Sequence, residues 1–136
     1  MGNSLENLEV YRLADEIGDL AWLVYNQLGR NFQYYIGNQF FDAADSISAN
    51  IAEGYGRYHY RDVINFNNYA RGSAYETINW TKKLRTRKLA KEAELNQILE
   101  MLETEIRKIN GYNRYLRNKN NGKYNCQIFQ WLSETN

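Results

Sequence analysis

Apolar residues recur along nearly the whole chain at alternating intervals of four and three. Val10, Ala14, Ile17, Ala21, Val24 and Leu28 set the rhythm. Such spacing puts one stripe on a helix, here over residues 7–28. Asn7 is the expected N-cap, since its side chain can accept an orphan backbone N–H. Glu9, Asp15 and Glu16 suit the positive end of the helix. Gly29 fits the left-handed position just past its end. After a short connection over residues 30–34, Phe40, Ala44, Ile47, Ile51 and Gly54 mark a second helix over 35–56. A third starts at residue 60 and carries Val63, Phe66, Ala70, Ser73, Thr77, Trp80 and Leu84, fading in the basic run of residues 82–88. A fourth spans 91–116 with Leu95, Ile98, Leu102, Ile106, Ile109 and Leu116 inside, and Asn110-Gly111 is a point of kinking or fraying.

Helices of this length joined by short connections favour antiparallel neighbours. The expected fold is all-α, an up-down-up-down four-helix bundle over residues 1–117. A C-terminal tail, 118–136, follows. Its apolar positions Ile128, Phe129, Trp131 and Leu132 suggest a short docking helix. The chain has no proline. That removes the residue that breaks helix interiors and punctuates loops, and favours long helices with tight turns.

A second stripe runs beside the apolar one on the second helix: Gln39, Ala43, Ser46, Asn50, Glu53 and Arg57. Polar residues held to a core rhythm point to packing specificity, because an unpaired buried polar group costs about 1–3 kcal/mol. Gln39, Asn50, Glu53 and Gly54, with Gly72, Ser73 and Glu76 on the third helix, are therefore candidate residues for helix register or assembly. In this reading their polar side chains bond across helices or to a neighbouring subunit. Gly72 would permit close helix approach.

Net charge is only +1, yet the charge is segregated. Up to Gly56, Glu6, Glu9, Asp15, Glu16, Asp19, Asp42, Asp45 and Glu53 face only Arg12 and Arg30. From there to residue 91 the bases dominate: Arg57, Arg61, Arg71, Lys82, Lys83, Arg85, Arg87, Lys88 and Lys91, against Asp62 and Glu76. These bases are the candidate nucleic-acid contacts, with tyrosines 55, 58, 60, 69 and 75 nearby in sequence to stack on bases.

Catalytic chemistry has little to build on. His59 is the only histidine and Cys126 the only cysteine, and neither a Gly-rich phosphate loop nor a nucleophile elbow is present. A di-metal bundle needs Glu-x-x-His motifs on two helices, which this chain lacks. No catalytic residue, metal site or cofactor is expected. The lone cysteine suits a reducing, cytoplasmic setting. No apolar run reaches the roughly 18–20 residues of a membrane span.

The motifs that carry a resemblance are Leu8-Glu9-Val10-Tyr11 with Ala14, then Gln39, Ala43-Ala44, Ser46-Ile47 and Asn50-Ile51-Ala52-Glu53-Gly54-Tyr55-Gly56-Arg57. Ala70, Gly72-Ser73 and Glu76-Thr77 complete them. Over residues 8–116 the chain resembles the four-helix-bundle proteins of the 23S rRNA intervening-sequence family. The resemblance implies a bundle that assembles into a ring-like homopentamer. It extends in fold to the accessory proteins of diversity-generating retroelements, which use basic surfaces to contact nucleic acid and a reverse transcriptase. The chain departs from the family at Phe40, Phe41 and Asp42, where arginines are usual. It departs again at Tyr58-His59, and at Arg85-Thr86-Arg87, where a Leu-Gly turn is usual. The expected role is a non-enzymatic oligomeric scaffold or adaptor that binds RNA or DNA. The alternative is a protein–protein interaction module that binds no nucleic acid.

Overall fold

The computed structural model describes residues 4–119. Four long helices form the body: α1 (Glu9–Gln27), α2 (Asn38–Tyr55), α3 (Tyr60–Thr86) and α4 (Glu92–Lys119). A 3-10 turn, Leu5–Asn7, precedes α1. One α-turn, Arg30–Phe32, and a π-turn, Gln33–Gly37, lead into α2. Among the described residues there is no strand, so the expected all-α four-helix class holds.

The buried positions keep a heptad rhythm. On α3 they are Tyr60, Val63, Asn67, Ala70, Ala74, Thr77, Thr81 and Leu84. On α4 they begin Leu95, Ile98, Leu102, Glu105 and Ile109. A mean interval of 3.5 residues keeps each stripe on the bundle axis when helices cross at a shallow angle. Contacts between neighbouring helices run in opposite senses. The α1–α2 pair has Tyr25 bonded to Asn38 (2.8 Å) and the Trp22 and Phe41 rings 5.3 Å apart. The α3–α4 pair has Asn67 on Asn113 (2.8 Å), Arg71 on Asn110 (2.6 Å) and Arg85 on Asn96 (2.9 Å). Glu9 and Lys108 join α1 to α4 at 3.6 Å.

Local details differ from expectation, each for a physical reason. Leu8, not Asn7, is the N-cap of α1, because Asn7 is taken into the preceding 3-10 turn. Gly29 is extended (φ −62°, ψ 153°) rather than left-handed, so the chain breaks only at Leu28–Gly29 and resumes helix at once through residues 30–34. The extra residue of the π-turn brings Ile36 and Gly37 inward. A methyl on Gly37 would lie 2.9 Å from Leu28 Cδ1 and 3.2 Å from the Phe32 carbonyl, so the turn packs closely here. On α3 the core takes Asn67, Ala74 and Thr81, leaving Phe66, Ser73 and Trp80 half-buried at its edge. Helix α4 runs unbroken through Asn110-Gly111 and continues to Lys119. The expected docking helix in 118–136 lies almost wholly outside the described residues.

The core is not uniformly apolar. Thr77 and Thr81 return their hydroxyls to the carbonyls of Ser73 and Thr77. Glu105 is fully buried, and neither carboxyl oxygen has a hydrogen-bond partner among the described residues. Burial lifts its pKa to about 9, with the Lys108 charge drawing it back only in part. The group is therefore held as a neutral acid at neutral pH.

Candidate functional site

The polar stripe of α2 bonds locally. Ser46 Oγ donates to the Asp42 carbonyl (2.7 Å), and Asn50 Nδ2 donates to the Ser46 carbonyl (2.8 Å). Glu53 pairs with Arg57 one turn on at 3.2 Å, and Gln39 is exposed. On α3, Ser73 offers its carbonyl to Thr77, and Glu76 accepts from Trp80 Nε1 (3.3 Å). None of these bonds crosses to another helix; the Glu53–Arg57 pair runs from α2 to the residue just past its C-cap.

Gly54 and Gly72 have opposite environments. A methyl on Gly54 would lie 2.8 Å from Cβ of Phe66 and 3.3 Å from the Val63 carbonyl, so α2 and α3 meet there. A methyl on Gly72 would meet nothing within 4 Å. Of these two glycines, Gly54 and not Gly72 sits at a close approach of helices within the chain.

Cross-helix register is carried instead by residues the sequence did not single out. Asn67 Nδ2 donates to Asn113 Oδ1, and Asn113 Nδ2 donates to Asn68 Oδ1 (3.1 Å). Arg71 adds bonds to Asn110 and Asn68. The signal was present as Asn67 in a heptad core position, but the larger Phe66 beside it drew the stripe one residue away.

The candidate bases do not form one patch. Helix α3 has 27 residues and so spans roughly 40 Å. Arg57 and Arg61 lie at its start, Arg71 near its middle, and Lys82, Lys83, Arg85, Arg87, Lys88 and Lys91 at its end or just beyond. Arg57 is engaged with Glu53 and stands over the Phe66 ring at 4.7 Å. Arg71 is committed to the asparagines. Tyr60 is fully buried and cannot stack on a ligand.

The end of the bundle built from the α3–α4 turn is different. Arg87, Lys88 and Lys91 are exposed there, and Gln27 at the end of α1 lies beside Lys88 and Lys91. The approach to α2, which leaves this end of α1, carries exposed Arg30, Phe32, Tyr34 and Tyr35, the tyrosines 85% and 82% accessible. The sequence has no acid between Asp19 and Asp42 or between Glu76 and Glu92. Glu92 and Glu94 follow at the start of α4, where they complement the helix dipole.

Lys88 has φ 56°, the left-handed region. The Leu89 N–H bonds to the Leu84 carbonyl (3.0 Å) and the Lys88 N–H to that of Arg85 (3.1 Å). This is the Schellman closure, in which glycine usually holds the left-handed position. A lysine there costs roughly 1 kcal/mol or more.

Carboxylates gather on the α1–α2 side. Asp15 is raised by burial and then by Asp19, Asp45 and Glu16, and the Tyr11 hydroxyl by burial and then by Asp15, Glu6, Asp19 and Asp45. Among the described residues no group of three acids, histidines or cysteines is arranged to hold a metal ion. No described helix is long and apolar enough to cross a membrane.

A family model described as 23S rRNA-intervening sequence protein matches residues 6–111, most of the chain and all but the end of the bundle. The chain belongs to that family. A crystal structure of a protein of unknown function from the S23 ribosomal protein family of Bacteroides thetaiotaomicron has the same fold. It is 21% identical, covers 76% of this chain and 97% of its own, and has a TM-score of 0.72. No curated protein matches the chain. Within the intervening-sequence family fold, the left-handed Lys88 stands where a glycine would be free of strain.

Proposed function

We propose that this intervening-sequence family protein is a non-enzymatic, self-associating helical bundle that binds single-stranded nucleic acid through the α3–α4 end. The observation that carries the reading is Lys88, a base held in a strained left-handed turn within a stretch, residues 77–91, that has five other bases and no acid. Strain of this kind gathers where function requires it. Arg87, Lys88 and Lys91 supply phosphate contacts, and the exposed rings of Tyr34 and Tyr35 supply stacking platforms. Trp22, half-exposed beside the Tyr25 and Phe41 rings, and half-exposed Leu23 next to it in sequence favour self-association.

The test is fluorescence anisotropy with labelled mixed-sequence single-stranded RNA, single-stranded DNA and a duplex, at about 50 and about 200 mM salt. Affinity for the single strands is expected to fall steeply with salt. Replacing Arg87, Lys88 and Lys91 by Gln together lowers the salt slope by about 2–3, at roughly 0.7–0.9 per phosphate contact. Arg61→Gln at the opposite end leaves binding unchanged. Binding that ignores salt, or an equal loss in Arg61→Gln, overturns the assignment. Light scattering without nucleic acid reads the self-association separately.

A further inference from the structure

Two outer seams of the bundle carry complementary surfaces. The helices follow one another around the axis, with α2 against α3 at Gly54 and α1 joined to α4 by Glu9 and Lys108. The outer α1–α2 seam and the outer α3–α4 seam therefore face away from each other. We infer that the α1–α2 seam of one copy docks in the α3–α4 groove of a second copy. The inference rests on the self-association read above and names the two faces that meet.

The α1–α2 seam is a ridge, aromatic at one end and acidic at the other. Trp22 is half-exposed, its ring stacked on Tyr25 at 5.8 Å and 5.3 Å from the partly buried Phe41. Asp19 and Asp15 stand exposed one and two turns back along α1. Asp45 reaches over Gly18 from α2, its Oδ1 3.1 Å from where a methyl on that glycine would lie. Asp15 is raised by burial and then by Asp19, Asp45 and Glu16, so these carboxylates crowd one another. Arg12 is the only base on either helix.

The α3–α4 seam is concave, with an open groove of about 970 Å³. Ile78, Leu99 and Ile106 form its apolar floor, and exposed Tyr75 lines its α3 wall. Lys82 and Arg85 line the end nearest the α3–α4 turn, and Arg107 lies toward the other end. Arg85 bonds the Asn96 side chain and Arg107 that of Thr104. Among the described residues none of the three bases is paired with a carboxylate. Glu100 and Glu103 line the α4 wall and leave the bases in excess.

The spacings match. Asp19 and Asp15 lie about 4.5 and about 10.5 Å along α1 from Trp22, and Lys82 and Arg85 about 6 and about 10.5 Å along α3 from Ile78. A ridge whose Trp22 sits on the apolar floor therefore sets its acids level with the bases. An aromatic anchor in a pocket rimmed by opposite charge is the arrangement that specific protein contacts use. Two ridges meeting each other would instead place acids against acids. The contact is head-to-tail, so each copy that gives its ridge still offers its groove.

The experiment uses the full chain and light scattering without nucleic acid. One variant loses the ridge, Trp22→Ser with Leu23→Ser. A second loses the groove, Tyr75→Ser with Lys82→Glu. All four positions are exposed, and circular dichroism verifies that helix content is unchanged. If either pair lowers it, the single changes Trp22→Ser and Lys82→Glu take their place. The native chain is expected at two or more times the chain mass and each variant at the mass of one chain. An equimolar mixture of the two variants should reach the mass of two chains and stop there, because only one intact ridge and one intact groove remain to meet. A native chain that stays single overturns the self-association reading and this inference with it. A native chain that associates, with either variant keeping its full mass, overturns the inference alone. So does a mixture that stays at the mass of one chain.

Discussion

Asn67 and Asn113 face each other inside the α3–α4 seam, the Nδ2 of one 2.8 Å from the Oδ1 of the other and both closed to solvent. Asn113 also holds Asn68, and Asn68 holds Arg71, so the pair anchors a chain of bonds between the helices. Replacing Asn113 by Leu strands the Asn67 amide in the core. The expected loss is about 1–3 kcal/mol, read by urea denaturation. Asn67→Leu with Asn113→Leu removes both amides and should recover much of that loss, because two apolar partners leave less unpaired. The double variant should still lose helix register, seen as broadened amide resonances along α3 and α4. A double variant less stable than the sum of the singles would show that the amides stabilise rather than specify.

Glu105 makes stability fall as pH rises. Its folded pKa is raised to about 9 from 4.5, so between those values the folded state keeps a proton that the unfolded chain has lost. The stabilisation is complete below about pH 4.5 and lost progressively up to about pH 9. The slope is at most about 1.4 kcal/mol per pH unit. Urea denaturation should give a protein about 1–3 kcal/mol less stable at pH 8 than near pH 5.5. Glu105→Gln has similar shape and no titration, and its profile over this range should be nearly flat. A wild-type profile as flat as that of the variant would place the carboxylate in contact with water.

The bundle was legible in the sequence because its signal is repetitive. Each helix repeats its apolar stripe several times, so one misplaced residue does not hide the period. Every residue of the α1 stripe from Val10 to Leu28 is buried, and Gly18 is the one buried position outside it. The stripe on α3 was harder to read, since three of its core positions are Asn67, Ala74 and Thr81, all small or polar, and each lies next to a larger ring or a residue that mimics the period. Glu105 was missed for the same reason: a charged side chain in a heptad position reads as a surface residue until burial is seen. The candidate surface was only half legible. The basic run at 82–91 stood out, but that Gln27 at the end of α1 lies beside Lys88 and Lys91 could not be read from it. The π-turn that carries the exposed Tyr34 and Tyr35 was announced by no local spacing.

Gly54 and Gly72 should respond to alanine with opposite signs. Gly54→Ala drives a methyl to within 2.8 Å of Phe66 Cβ and 3.3 Å of backbone, and should destabilise the chain by about 1–3 kcal/mol through overpacking. Gly72→Ala meets open space on a helix interior and should stabilise it by roughly 0.5–1 kcal/mol. Thermal or urea melts of the two variants decide the matter. Light scattering adds a second reading: if Gly72 supports a contact between copies, the alanine variant is more stable as a chain yet lower in mass.

Lys88 separates stability from binding. Lys88→Gly relieves the left-handed strain at φ 56° while keeping the closure of α3 through the Leu89 N–H. The chain should gain up to about 1 kcal/mol in urea denaturation. It should at the same time lose one phosphate contact, lowering the salt slope for a labelled single strand by about 0.7. Lys88→Asn, which tolerates the left-handed region but carries no charge, should lose binding to the same extent with a smaller gain in stability. A glycine variant that is stabilised and binds as tightly as the native chain would assign Lys88 to the turn alone. One that loses both stability and binding would mean that the lysine side chain packs against the end of α1, where Gln27 lies beside it.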